Sequence, residues 1–258
     1  MYKGIHSVPV LFDFQWQTPH SKHEYGLPPI GDDVQSFYRF PRHTNPKQDR
    51  HLWEVKADFT KAIFVANCLG KRFIEVSQDL DFFEVCKDFI AFLPSKPARI
   101  LDAGSGAGQN AAALAQEGFT VTAVEPMPEF LSAARKRYKS ASITWLKGSL
   151  PDMACLNMGT AQFDFVLIDG VWHHIDSTER EMAVIRLSVL IKKGGICAIS
   201  LRNGPAGLGS RVYPTDTKFT IQQFEKHGLL CIFEVQNKSS ILPNKENVKW
   251  ARIVLQKC

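Results

Sequence analysis

Residues 99–126 read Arg99-Ile-Leu-Asp102-Ala-Gly104-Ser105-Gly106-Ala-Gly108-Gln109-Asn110, then an Ala-rich run to Glu117, then Thr120-Val-Thr-Ala-Val-Glu125-Pro126. Ile100 and Leu101 have the apolar run of a buried parallel strand, bounded by Pro97 and the glycines. Three glycines at alternate positions suit a strand-to-helix turn, because glycine accepts positive φ and lets backbone approach a ligand. The following helix aims its first N–H groups at that ligand. Glu125 lies 21 residues after Gly104 and ends a second apolar strand. A carboxylate at that tip can accept both hydroxyls of a ribose. The stretch therefore predicts a nucleoside-bearing ligand.

Two chemistries share such a loop. A dinucleotide site wants Gly-x-Gly-x-x-Gly. Here the third glycine, Gly108, comes one place early, and Gln109 stands where that pattern wants glycine. Asp102 also precedes the first glycine by two residues. In these details the stretch resembles the class I S-adenosylmethionine-dependent methyltransferases. The resemblance implies Asp102 beside the methionine amino group and Gly104, Ser105, Gly106 and Gly108 over the methionine part. It further implies Glu125, with Pro126 and Met127 after it, beside the ribose. S-adenosylhomocysteine would be a product.

The chain around the motif alternates as a doubly wound sheet does. Strands are expected at Arg99–Ala103, Thr120–Val124, Ile143–Lys147, Phe163–Ile168 and Ile196–Leu201. Helices are expected at Gln109–Glu117, Pro128–Tyr138 and Ser177–Ile191, the last stopping at Lys192-Lys193-Gly194-Gly195. A helix near Lys218–His227 precedes Leu229–Val235 and Val248–Leu255, two apolar segments with no helix between them. They read as an antiparallel hairpin, which a dinucleotide domain lacks and the resembling family has. The fold expected is a Rossmann-like, doubly wound seven-stranded α/β sheet with an antiparallel C-terminal hairpin.

Residues 95–258 are expected to form the S-adenosylmethionine-binding domain, and residues 1–94 a mostly helical or irregular extension. The first 50 are rich in Pro, His and aromatic residues, with Val10–Phe14 a candidate edge strand. Leu52–Leu69 and Asp79–Leu93 read as helices, the second with Leu80, Phe83, Val85, Phe89, Ile90 and Leu93 as its apolar stripe. In the resembling family such helices cover the site and choose the acceptor. The mixed run Phe37–His43 suits a lid over a small molecule, a stacking surface for single-stranded nucleic acid, or a solvated arm.

Composition narrows the classes. The 258 residues are 45% hydrophobic and 22% charged, ordinary values for a globular protein. No run approaches the roughly 20 apolar residues of a membrane span, and the N-terminus lacks a signal-peptide core. Six cysteines form no Cys-x-x-Cys pair, so neither a zinc site nor a disulfide framework is indicated and a cytoplasmic location is the default. Residues 1–94 hold 11 Lys/Arg against 12 Asp/Glu, and residues 95–258 hold 20 against 14. That dispersed excess permits an anionic partner, RNA included, without demanding one.

Three further segments concern the ligands. After the third strand, Lys147-Gly-Ser149-Leu150 occupies the place where similar methyltransferases hold adenine, commonly with an Asp where this chain has Ser149. Asp152 is a substitute from the next turn. After the fourth strand comes Asp169-Gly-Val-Trp172-His173-His174-Ile-Asp176-Ser177, outside the carboxyl end of the sheet where ligands of open α/β sheets bind. The resemblance puts Asp169 near the sulfonium, and Trp172 is a candidate pocket wall. His173 or His174 is a candidate general base, histidine titrating near neutrality, with loop support the alternative role. Ser177 is a candidate helix cap. The run Trp172–Arg180 is also similar to that of tRNA wobble-uridine carboxymethyl methyltransferases.

After the fifth strand, Arg202-Asn203 stands where catechol-type enzymes need acidic metal ligands, so metal independence is expected. Arg202 has the two-pronged geometry to bind an acceptor carboxylate or phosphate, or to pair with a neighbouring acid. The expected activity is methyl transfer to an O or N atom of a small-molecule acceptor. The alternatives are an RNA-modifying methyltransferase, a polyamine synthase on the same scaffold, and a non-catalytic binding module. Oligomeric state is silent.

Overall fold

A computed structural model describes residues 70–140, 142–156, 161–205, 212–240 and 245–258. They belong to one compact unit. The expectations for Val10–Phe14, Phe37–His43 and Leu52–Leu69 lie outside the described residues.

Helix α1 is described over 70–78. It is followed by α2 (Phe82–Val85), a 3-10 helix (Lys87–Phe92), β1 (Arg99–Ala103), α3 (Gln109–Gln116), β2 (Thr120–Glu125), α4 (Pro128–Arg137) and β3 (Ile143–Lys147). Then come β4 (Phe163–Ile168), a second 3-10 turn (Trp172–His174), α5 (Ser177–Leu190), β5 (Ile191–Asn203), α6 (Thr217–Glu225), β6 (Leu229–Ser239) and β7 (Lys249–Lys257). The seven strands form one sheet in the order β3-β2-β1-β4-β5-β7-β6. The first five are parallel. β7 inserts antiparallel between β5 and β6, so the expected hairpin and doubly wound sheet are both present. Strand order reverses between β1 and β4, which makes their carboxyl ends the ligand-binding crevice of such a sheet.

Side-chain alternation divides the core in two. Leu101, Val166, Ile168, Cys197, Ile199 and Leu201 face α5 and α6, with Leu187 and Phe224 buried against them. Ile100, Val121, Ala123, Phe165, Leu167 and Ala198 face the other way, with Ala111 and Leu114 of α3 and with Phe82, Cys86 and Phe89. By the same alternation Asp102, Glu125, Ser200 and Arg202 share this second face.

Two local expectations are corrected. Asp79–Leu93 is not one helix: Asp81 caps the short α2 by accepting from the Phe83 N–H at 2.7 Å, and Cys86 leaves helical geometry before the 3-10 turn. The buried positions are Phe82, Cys86 and Phe89, while Phe83 is exposed. The second concerns Lys192-Lys193-Gly194-Gly195, which is strand rather than helix end. β5 pairs with β4 already at Ile191, and the register shifts at Phe163/Phe165. Lys192 reaches sideways to Asp164 at 2.8 Å, and that carboxylate also accepts the Arg99 N–H.

Residues 70–94 are built into this domain. Phe73 of α1 stacks on Phe130 of α4 at 5.2 Å. Arg252 of β7 donates to the Val85 carbonyl at 2.9 Å, lies over the Phe89 ring, and approaches Asp88 at 3.8 Å. Phe89 is 1% exposed. Phe89→Ala is therefore expected to cost about 3–5 kcal/mol, the range for emptying a buried aromatic site. A urea titration checks this: one cooperative transition with a lowered midpoint is expected, and an unmoved midpoint would show that these residues are not part of the core.

Candidate functional site

The carboxyl ends of β1, β2 and β4 carry Asp102, Glu125 and, one residue beyond β4, Asp169. The loop after β1 is anchored on β2, since the N–H groups of Gly104 and Ser105 both donate to the Val124 carbonyl at 2.8 and 3.0 Å. Gly104 has φ +81°, and a Cβ there would sit 2.5 Å from Val171. Gly108 has φ +88°, and a Cβ there would meet Trp145 at 2.7 Å and Ala134 at 2.8 Å. These two glycines are required by both conformation and space. Gly106, also at positive φ, faces open space, so the loop's middle is where another molecule can approach the backbone.

Glu125 holds this loop in place. One carboxylate oxygen accepts the Gly106 N–H at 2.9 Å and the other accepts the Met127 N–H at 2.8 Å. Burial raises its pKa, and the two backbone bonds pull it back. Each oxygen keeps a further lone pair, so the same carboxylate can shape the loop and accept ribose hydroxyls. Pro126 and Met127 beside it are exposed.

Asp102 is 1% exposed, and its Oδ2 has no hydrogen-bond partner. Burial, then Asp169, then Glu125 raise its pKa to about 8, and a hydrogen bond from the Ala111 backbone at the start of α3 draws it down. Among the described residues no cationic side chain offsets it. Ser105 Oγ and Gln109 Oε1 are likewise buried without a partner. Asp169 accepts from Asn110 Nδ2 at 3.4 Å and from the Cys86 thiol. The Gly170 N–H donates to Ser200 Oγ at 2.8 Å, tying the end of β4 to β5. From the other side Gln78 Nε2 donates to the Ala107 carbonyl at 3.1 Å. Cys86, Asn110, Ser200 and Gln78 escaped sequence reasoning. Only Asn110, polar in an alanine-rich first turn beside the glycine loop, carried a signal.

The remaining candidates divide. Trp172 is not a pocket wall: it is fully buried and packs on Phe224 at 5.8 Å in the core beneath α5. His173 is 4% exposed, and burial, then His174, Arg202 and Arg180, lower its pKa to about 3. A ring so reluctant to hold a proton is a poor base for a hydroxyl or ammonium acceptor. His174 is exposed, its ring 4.1 Å from that of His173. Ser177 is not the cap: Asp176 accepts the Glu179 N–H at 2.9 Å and Glu179 accepts the Asp176 N–H at 2.8 Å, a capping box. Arg202 is 6% exposed at the end of β5.

On the adenine side Ser149 is exposed. Leu150 is a core residue, 7% exposed, in the cluster that contains Val124, Met153 and Leu156. Asp152 caps its own turn, accepting from the Ala154 N–H at 3.2 Å.

An anchored glycine loop, an acidic tip on each of two neighbouring strands and an uncompensated buried carboxylate are the features expected of a nucleoside site for a cationic ligand. The sheet order with its antiparallel last strand is that of the class I S-adenosylmethionine-dependent methyltransferases. Comparison with known proteins finds the same likeness. Residues 101–199 match the methyltransferase domain family. An uncharacterised methyltransferase of Mycobacterium tuberculosis is 36% identical over 120 residues, 44% of this chain and 58% of that protein. A ubiquinone biosynthesis O-methyltransferase of Methylocella silvestris is 35% identical over 89 residues, 34% of each chain. The chain thus spans little more than half the length of the first of these relatives. Among solved structures, a Burkholderia thailandensis 1,6-didemethyltoxoflavin-N1-methyltransferase with bound 1,6-didemethyltoxoflavin and S-adenosylhomocysteine has a TM-score of 0.56 at 20% identity. It matches over 85% of this chain and 93% of its own. A TehB-like methyltransferase from Corynebacterium glutamicum has the same TM-score at 18% identity, covering 75% and 98%. These two likenesses establish the fold.

The state of Asp102 makes a prediction for the ligand-free protein. Its folded pKa of about 8 lies above the ordinary 3.8, so the folded state holds the proton more tightly. The stability this contributes is present below pH 4 and is lost as pH rises through about 8. Asp102→Asn, which cannot ionise, is expected to melt higher than wild type at pH 9, with the gap closing toward pH 5. Parallel thermal melts test it, and equal melting temperatures at pH 9 would overturn the assignment.

Proposed function

We propose that this protein transfers a methyl group from S-adenosylmethionine to an O or N atom of a small-molecule acceptor, without a metal ion. The observation that carries the reading is Asp102, a buried carboxylate with no cationic partner, placed beside an open glycine loop. A ligand with an ammonium and a sulfonium supplies the missing positive charge. In this reading Asp102 takes the amino group and the Gly104–Gly108 loop cradles the methionine part. The spare lone pairs of Glu125 take the ribose, with Pro126 and Met127 beside it. Ser149 and the backbone at Leu150 flank the adenine, and Asp169 lies toward the sulfonium. When bound, S-adenosylmethionine supplies an electrophilic methyl whose departure leaves a neutral thioether, so the acceptor atom provides the electron pair and sheds its proton.

The protein's own part is alignment and the exclusion of water. Proton abstraction by His173 is not part of the proposal, given its buried neutral ring; His174 is the exposed member of the pair. Arg202 at the end of β5 sets a positive charge where a divalent metal would need an acid, which supports metal independence. The names of the similar proteins, a ubiquinone O-methyltransferase and a toxoflavin N-methyltransferase, support a small acceptor and leave both atoms open. Among the described residues no helix is long and apolar enough to cross a membrane. The described cysteines are free thiols, which supports a cytoplasmic setting.

Isothermal titration with S-adenosylmethionine tests the donor half. Saturable one-to-one binding is expected, weakened on the order of tenfold or more, about 1.4 kcal/mol or above, by Gly106→Arg. No heat from the wild-type protein would sink the proposal. The acceptor half is tested by transfer of a labelled methyl into cell extract separated into small-molecule and RNA fractions. Label in the first is expected, and label confined to RNA would replace the acceptor class.

A further inference from the structure

We propose that Arg202 and His173, with Trp250 beside them, form the acceptor subsite, and that it takes a carboxylate. This rests on the methyltransferase reading and names the class of acceptor. Arg202 and Trp250 are register partners across β5 and β7, so both side chains stand on the face that carries Asp102 and Ser200. Arg202 Nη2 donates to the Pro205 carbonyl, while Nη1 is buried with no partner. Burial alone lowers the pKa of Arg202, and no carboxylate among the described residues counters it.

Arg252, two residues along β7 and 9% exposed, shows what a structural arginine looks like here. It is tied to Asp88 at 3.8 Å and to the Val85 carbonyl at 2.9 Å. Arg202 has no such acid. A buried cation without a counter-charge is costly, and an anionic ligand relieves that cost.

His173 supplies the second donor. Its Nδ1 is buried without a partner, and its ring stands edge-on to Trp250 at 6.1 Å and 87°. Burial, and then the charges of His174, Arg202 and Arg180, keep it neutral, and a neutral imidazole still donates one N–H. Charge then selects the ligand. Arg180 is taken up by the carbonyls of Trp172, Pro214 and Tyr213 and faces Asp176, so Arg202 and one neutral donor balance a single negative charge; a phosphate dianion would leave net negative charge buried. The planar guanidinium fork also matches a carboxylate. The order β1-β4-β5 puts Arg202 two strands from Asp102, about 10 Å at ordinary strand spacing. An acceptor of roughly one-ring size, with its carboxylate on Arg202, brings a hydroxyl or amine toward Asp169 and the donor.

The test uses the full chain saturated with S-adenosylhomocysteine and three probes: benzoate, its neutral isostere benzamide, and inorganic phosphate. Benzoate is expected to bind at least about tenfold more tightly than benzamide and to shift the imidazole NMR signals of His173, its pKa rising as the anion offsets Arg202. Arg202→Gln is expected to cost benzoate about tenfold or more while S-adenosylhomocysteine affinity stays within about twofold. Equal binding of benzamide, an unmoved His173 signal, or full benzoate affinity in Arg202→Gln overturns the subsite. The wild-type signal decides the matter even where the variant fails to fold. Phosphate displacing benzoate at lower concentration reassigns the site to phosphorylated acceptors and overturns the carboxylate. A wild-type protein that binds no S-adenosylhomocysteine brings down the methyltransferase reading instead, a result distinct from loss of benzoate alone.

Discussion

Negative charge buried at the switch point of the sheet is the constraint on which the rest of this structure turns. Asp102 and Asp169 sit at adjacent strand ends, with Glu125 on the strand on the other side of Asp102, and burial opposes the ionisation of Asp102 and Glu125. The protein offsets this with dipoles rather than cations. The start of α3 reaches Asp102 through the Ala111 N–H, Asn110 reaches Asp169, and two backbone N–H groups reach Glu125. Such dipoles reduce the cost without cancelling the charge, so the site is left tuned for a positive ligand. The left-handed conformations of Gly104, Gly106 and Gly108 answer to the same tip: they keep the loop close enough to β2 for Glu125 to hold the Gly106 N–H.

The period of two along the strands decides what can take part. Residues whose neighbours at i±2 pack under α3, such as Ile100 before Asp102 and Ala198 before Ser200, place their successors on the functional face. Those one residue out of phase, such as Leu101 and Leu201, are consumed by the core under α5 and α6. Arg202 and Asp102 therefore face the same space although a hundred residues separate them in sequence.

That periodicity explains what was legible in the sequence. Strand positions, the parallel order and the terminal hairpin follow from apolar runs punctuated by glycine and proline; most ends stand within a residue or two, while β5 begins five residues earlier, at Ile191, and β6 runs four residues further, to Ser239. The residues proposed for the donor were readable because their chemistry is local: loop, carboxylate and helix start lie within 27 residues of one another. Trp172 misled because a residue beside a strand end can turn into the core as readily as into a cleft, and its packing partner Phe224 is distant in sequence. Cys86 was invisible because a lone cysteine in an apolar stripe gives no sign of meeting Asp169. The Asp79–Leu93 segment broke at Cys86, whose backbone leaves helical geometry, although Phe82, Cys86 and Phe89 keep the i, i+4, i+7 spacing of one helical face that the sequence displays.

The two histidines show how one environment can remove a function and supply another. A histidine near an acid would be held ready to accept a proton; His173 instead lies among Arg202, Arg180 and His174, where protonation adds like charge to like. In that setting its use is as a neutral donor, and its charge state becomes a report on whatever anion occupies Arg202. Residues 82–92 complete the arrangement, since Asp88 neutralises Arg252 and so leaves Arg202 as the cation without an acid on that stretch of β5 and β7. The segment preceding the first strand thus shapes the acceptor side by deciding which of two neighbouring arginines is spent on the fold and which is left for a ligand.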